Sequence, residues 1–343
     1  MSLQPTWALL RDMQAYLAAL TRVSLRRLVR GPRHPEWGVR LEALADSLRN
    51  ATRSVGARGW DSVPWALERA RAERNSSPAV AGGVRVAPLE LDGVPAWDLH
   101  PDDERPPRTI LYLPGGGYTQ GSWASHSGLA SLFARAAQAR LVFASYRLAP
   151  EHPFPAAVED ATRAWRALLR AGTPAGTCVL AGDSAGGGLA LATLLALRDE
   201  GAPLPAGVAC FSPWTDLTLG GASLSANIGF DWYPPDCLRA QARAYLAGAD
   251  PRDPRASPLF GRWSSARPVF LQAGTAEILL DDSVRLAAAI RAAGGDAVLD
   301  LWPGQIHGWQ FYPELLAEAV AAVERAAAFV GRVTGPPGAI SPA

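Results

Sequence analysis

Four short stretches of this chain carry residue types that can act together on a carbonyl carbon. The first is Gly182-Asp183-Ser184-Ala185-Gly186, with the apolar "TCVLAG" leading into it and "GGLALATLLALRDE" after it. A serine at a sharp strand-to-helix turn needs glycine on both sides, because side chains there would clash, and its hydroxyl is pushed out at the top of the sheet. The alternative is a glycine-rich turn whose serine only caps the helix. A serine hydroxyl is unreactive near neutral pH, so a nucleophile here requires a base. The chain has five histidines, His34, His100, His126, His152 and His307. His34 falls in a helical N-terminal region, His100 after an expected hairpin, and His152 in the turn-rich "APEHPFPA". His126, near a glycine-rich loop, is the rival. His307, in "WPGQIHGW", follows the last strand pattern, where a loop can carry the imidazole over Ser184. The order serine, acid, histidine also favours it.

The acid is expected in "PVFLQAGTAEILLDDS", where Glu277, Asp281 and Asp282 are the candidates. Asp281 and Asp282 suit a helix N-terminus, where a carboxylate meets the positive end of the dipole. Glu277 is preferred, with Asp281 as runner-up. The fourth stretch is Leu113-Pro114-Gly115-Gly116-Gly117-Tyr118, which follows a β-rich run. Glycines there let backbone N–H groups converge on an anion. Gly115, Gly116, Gly117 and the N–H of Ala185 are predicted to form an oxyanion hole. A phosphate site is disfavoured, since there is no G-x-x-x-x-G-K-[ST] and no G-x-G-x-x-G opening a helix.

These residues need a scaffold, and the chain's periodicity describes one. Residues 1 to about 80 read as helices broken by Gly-Pro and Pro-Glu turns. "VRVAPLEL" and "VPAWDLH" flank Asp92-Gly93 and predict an antiparallel hairpin. Short apolar strands then alternate with helices: "TILYL", "RLVFASYRL", "TCVLAG", "AGVACFS", "PVFLQAG" and "AVLDLWPG". That alternation predicts crossover units and an α/β fold with a mostly parallel, eight-stranded sheet flanked by helices. Residues 214–260 break the rhythm, with one helical piece and no clear strand, and read as an insertion at the carboxyl ends of the strands. The expected division is a helical cap segment at 1–80, core at 81–213, cap insertion at 214–260, core again at 261–335, and a tail at 336–343.

Composition narrows the function classes. Apolar residues make up 48% of 343, enough for a large core, and the formal net charge of +1 suggests no nucleic-acid partner. Every basic residue is arginine. Cys178, Cys210 and Cys237 have no metal-ligand or redox spacing, so neither a metal nor a disulfide framework is expected, and a cytoplasmic location fits. No run approaches the roughly 18 apolar residues of a membrane span. The first segment is nonetheless amphipathic and Arg-rich, and could lie on a membrane surface or pack over the protein's own core.

Over about residues 80–335 the chain resembles the hormone-sensitive-lipase group of carboxylesterases, an α/β-hydrolase family. The motifs that carry this, in the family's order, are "YLPGGGY", "SYRLAPEHPFPAAVEDA", "GDSAGG", "SPWTDL", "DPRASPL", "AEILLDD" and "PGQIHGW". The resemblance implies an α/β-hydrolase fold with a helical cap, Ser184 as nucleophile, His307 as base and Glu277 at the acid's position. It also implies a cofactor-free hydrolase of small acyl esters, and a homodimer through the last strand and helix as one assembly open to it. Two departures stand out. The acid is Glu where Asp is commoner, and Pro114 replaces the histidine that opens the family's His-Gly-Gly-Gly loop. Tyr146, Arg147 and Glu151 are expected to brace the loop. Two other uses of the fold are an amide deacetylase or acyltransferase on the same triad, and a non-catalytic receptor like that for plant gibberellin.

Overall fold

The computed structural model describes residues 7–75, 79–101, 108–264 and 266–335; the expected tail at 336–343 lies outside them. The hairpin forms as β1 (Val84–Leu91) and β2 (Val94–Pro101), with Asp92 and Gly93 both at positive φ, 50° and 82°. Two such residues make the tight turn whose twist matches the flanking strands. The remaining strands are β3 (Thr109–Leu113), β4 (Arg140–Ala144), β5 (Cys178–Asp183), β6 (Gly207–Phe211), β7 (Val269–Gly274) and β8 (Ala297–Trp302). They form one eight-stranded sheet in the order β1-β2-β4-β3-β5-β6-β7-β8. Only β1–β2 and β2–β4 are antiparallel.

The helices between strands cover both faces, which is why β3, β5, β6 and β7 are buried along their whole length. Helices α4 (Trp123–Ala137) and α10 (Ala317–Thr334) share one apolar cluster with one face of the sheet. On the opposite face lie α5 (Ala156–Arg170), α6 (Ser184–Asp199) and α9 (Leu280–Ala292). Helix α6 is buried from Ala185 to Leu195, as its nearly uninterrupted apolar sequence requires.

Parallel pairing places the site. Leu113 at the end of β3 pairs with Gly182 on β5, Asp183 with Phe211 on β6, Phe211 with Gln272 on β7, and Gly274 with Trp302 on β8. The loops carrying the glycine triplet, Ser184, Glu277 and His307 therefore leave the sheet at one edge. Helices α1 (Trp7–Arg30), α2 (Val39–Val55) and α3 (Trp65–Asn75) precede the sheet, and no strand occurs among the described residues before β1. The insertion holds α8 (Pro235–Leu246), where a helical piece was expected, and a four-residue helix, α7 (Ser223–Ala226), that was not. The last helix starts at Ala317, after a turn over Pro313 to Leu315.

Candidate active site

Ser184 sits between β5 and α6 with φ +50°, a conformation that non-glycine residues rarely adopt. Its neighbours explain how the chain tolerates it. A Cβ on Gly186 would lie 2.0 Å from the carbonyl oxygen of Leu113, and one on Gly182 would meet the Gly186 backbone at 2.5 Å. Both glycines are required by the backbone of β3, which passes directly beside the turn.

His307 Nε2 lies 3.0 Å from Ser184 Oγ. Burial pushes this imidazole down to about 4, so its resting form is neutral, with a lone pair available for the serine proton. Its other nitrogen, Nδ1, is buried and has no hydrogen-bond partner. Glu277 is fully buried as well. Its Oε2 accepts hydrogen bonds from Ser212 Oγ (2.7 Å) and the N–H of Gly274 (3.1 Å), while Oε1 has no partner. Burial holds this carboxyl well above the ordinary carboxylate range. A leftover imidazole nitrogen and a leftover carboxyl oxygen are thus a complementary donor and acceptor.

The competing candidates are engaged elsewhere. Asp281 Oδ2 accepts from the N–H of Ser223, and Asp282 Oδ2 accepts from the N–H groups of Thr215 and Asp216, at 3.0, 2.6 and 2.9 Å. Both belong to the first turn of α9. His126, on α4, has Nδ1 2.7 Å from Ser125 Oγ and Nε2 3.5 Å from Asp183 Oδ2. His34 stacks on Trp37, and His100 is next to Asp98.

The glycine loop needs one correction. The Gly115 N–H donates to Asp183 Oδ1 at 2.9 Å, so it is already committed and is not available to an oxyanion. Among the described residues, the N–H groups of Gly116 and Gly117 have no acceptor. Both glycines have positive φ (111° and 62°), and a Cβ on Gly117 would lie 2.2 Å from the Gln241 amide. That amide is part of the support: Gln241 Nε2 donates to Thr119 Oγ1 (3.1 Å), and its Oε1 accepts from Tyr233 (2.8 Å). Tyr146 braces the loop as expected, its hydroxyl donating to the Pro114 carbonyl at 2.7 Å. Arg147 turns instead to Asp160 on α5, and Glu151 to Arg69 on α3, which also donates to the carbonyls of Thr119 and Ala149.

Sequence patterns gave no sign of Asp231. This fully buried carboxylate accepts from the N–H of His307 (3.2 Å) and Trp232 (2.8 Å) through Oδ1, and from Ile278 (2.8 Å) through Oδ2. It ties the loop bearing Glu277 to the loop bearing His307. Asn227 adds donations to the Thr275 and Glu277 carbonyls, and Trp232 Nε1 donates to the His307 carbonyl at 2.7 Å. Sequence could have marked only a lone acid in "GFDWYPP", a segment without periodicity.

The model of an α/β-hydrolase-fold family matches residues 110–311. The chain belongs to that α/β-hydrolase family. An acetyl-hydrolase of Streptomyces hygroscopicus is 47% identical over 229 residues, covering 66% of this chain and 77% of the relative. An esterase of Acinetobacter venetianus is 33% identical over 248 residues, covering 72% and 82%. Among solved structures, an esterase from the bacterial hormone-sensitive lipase family superimposes with a TM-score of 0.80 at 36% identity, covering 87% of this chain and 99% of that one. This α/β-hydrolase and that solved esterase therefore share one fold.

Proposed function

We propose that this α/β-hydrolase is a serine carboxylesterase that cleaves short- to medium-chain acyl esters through an acyl-enzyme. The observation that carries this is the 3.0 Å contact between Ser184 Oγ and a neutral, buried His307. One relative is named an esterase and another an acetyl-hydrolase, which supports this reading. His307 Nε2 takes the Ser184 proton as Oγ bonds to the ester carbonyl carbon, and the carbonyl π pair moves to oxygen. Gly116, Gly117 and Ala185 donate to that oxyanion; each such donor is worth on the order of 3 kcal/mol in the transition state. Glu277 Oε1 accepts a hydrogen bond from Nδ1–H, fixing the tautomer and stabilising the imidazolium while the proton stays on nitrogen. Collapse expels the alkoxide, which takes its proton from His307, and leaves an ester on Ser184. Water then loses a proton to His307, adds to the acyl carbon, and the second collapse returns the proton to Oγ and releases the acid.

Trp232 and Tyr233 flank the His307 ring, with centroids 6.3 and 5.7 Å away, and offer an apolar wall to the acyl or alcohol portion. Residues 1–80 and 214–260 act as the cap, and the enzyme works in the cytoplasm without a cofactor. Hydrolysis of p-nitrophenyl esters from acetate to laurate tests this reading. Turnover is expected to peak at the shorter chains and to fall by several orders of magnitude in Ser184→Ala. A peak at laurate would overturn the chain-length assignment, and equal rates in the variant would overturn the nucleophile.

A further inference from the structure

Helix α1 has two apolar faces where a helix that only packs on its own protein needs one. The inner face, with Ala19 and Val23 fully buried, lies on Ala43 of α2. On the other side, Leu28 and Val29 are 84% exposed, Leu25 62%, Leu17 53% and Met13 51%. Positions 13, 17, 21, 25 and 28 advance by four, four, four and three, so they form one stripe along the helix, broken only by Thr21. Val55 and Leu67, on α2 and α3, are exposed on the same cap segment.

The charge distribution indicates what covers the stripe. Residues 1–58 contain ten arginines and four acidic side chains, a formal charge of +6. The whole chain carries +1, so the remainder is at −5 and the positive charge is concentrated on the cap. Part of it is consumed internally: Arg26 and Arg27 pair with Glu42, and Arg33 and Arg49 with Asp46. Arg22, Arg30, Arg40 and Arg53 are exposed and have no ion-pair partner among the described residues. An exposed leucine stripe with arginines at its margin matches a surface that is apolar below and anionic above.

We propose that α1 docks this enzyme on anionic lipid surfaces, lying in the interface with Met13, Leu17, Leu25, Leu28 and Val29 inserted and the cap arginines against the headgroups. The membrane-surface and self-packing placements open to the first segment are then both correct, one for each face of the helix. Docking also sets the site close to the lipid, because α2 lies between α1 and the His307 loop, with Trp37 Nε1 donating to the Gly304 carbonyl at 2.6 Å.

Vesicle flotation of the full chain, with phosphatidylcholine alone or with phosphatidylglycerol added, tests this independently of turnover. Flotation is expected with the anionic vesicles and is expected to fade at high salt. Arg22→Gln and Arg30→Gln should each weaken it roughly fivefold, the effect of one arginine near such a surface. Leu17→Gln/Leu25→Gln/Leu28→Gln should abolish it while hydrolysis of a soluble ester is unchanged. No flotation, or equal flotation with neutral vesicles, would overturn the proposal. So would scattering data in which the leucine variant converts a dimer to a monomer, since a second copy would then be the occupant.

Discussion

At the residue scale, the site depends on two groups whose titration burial shifts, the His307 imidazole downward and the Glu277 carboxyl upward. Desolvation lowers His307 to about 4, below the ordinary 6.5 of an imidazole. A base must be unprotonated to accept the serine proton, so activity is lost only as pH falls through that lowered value. The acid limb of kcat/KM is therefore expected below pH 6.5, and a limb at or above it would mean that the charge of Glu277 outweighs burial. Replacing Glu277 by Gln removes the anion that stabilises the imidazolium and should cost about 10³-fold or more in kcat. Pro114 lines a cleft of about 600 Å³ with Trp97, Trp123 and Tyr146, so a larger side chain has room there. Pro114→His is expected to raise turnover by adding a polar anchor to the loop; unchanged kinetics would sink that idea. Ser184 and His307 were legible because G-x-S-x-G and a histidine after the last strand are local patterns. The commitment of Gly115 to Asp183 was not, because it depends on how the β3 and β5 loops meet in space.

At the element scale, the strands could be read from their apolar runs, and the tight hairpin from Asp92-Gly93. What escaped was the insertion, where short turns replace periodicity and hydrogen bonds to backbone groups replace apolar packing. Asp231 is the clearest case: one carboxylate satisfies three N–H groups from its own segment and two distant loops. Asp231→Ala would leave those donors buried and unpaired, at about 1–3 kcal/mol each before relaxation. Such a loss should lower both the melting temperature and kcat, with KM little changed, because the imidazole and the acid lose their common anchor. A normal kcat in the folded variant would show that the two loops hold their positions without it. The resemblance to carboxylesterases implied a helical cap, but not the contacts that these segments make.

At the scale of the whole molecule, the N-terminal helices and the insertion are joined to the sheet through the loops bearing Glu277 and His307. Trp37, Leu41 and Leu44 of the N-terminal segment share an apolar cluster with Ala276, Ile306 and Trp309 of the core. Truncating Trp37 to Ala removes that contact and the bond to Gly304, and should cost roughly 3–5 kcal/mol. Thermal denaturation followed together with esterase activity would show the two declining in step. Sheet order was not legible, since strand patterns do not state their neighbours, and neither was the charge division between cap and core, which averages out in a net charge of +1. Labelling with a fluorophosphonate probe tests whether Ser184 is the nucleophile of an esterase. A single adduct is expected, mapped by peptide mass spectrometry to Ser184, with ester hydrolysis lost in proportion to labelling. An unlabelled protein, or an adduct elsewhere with hydrolysis intact, would contradict it.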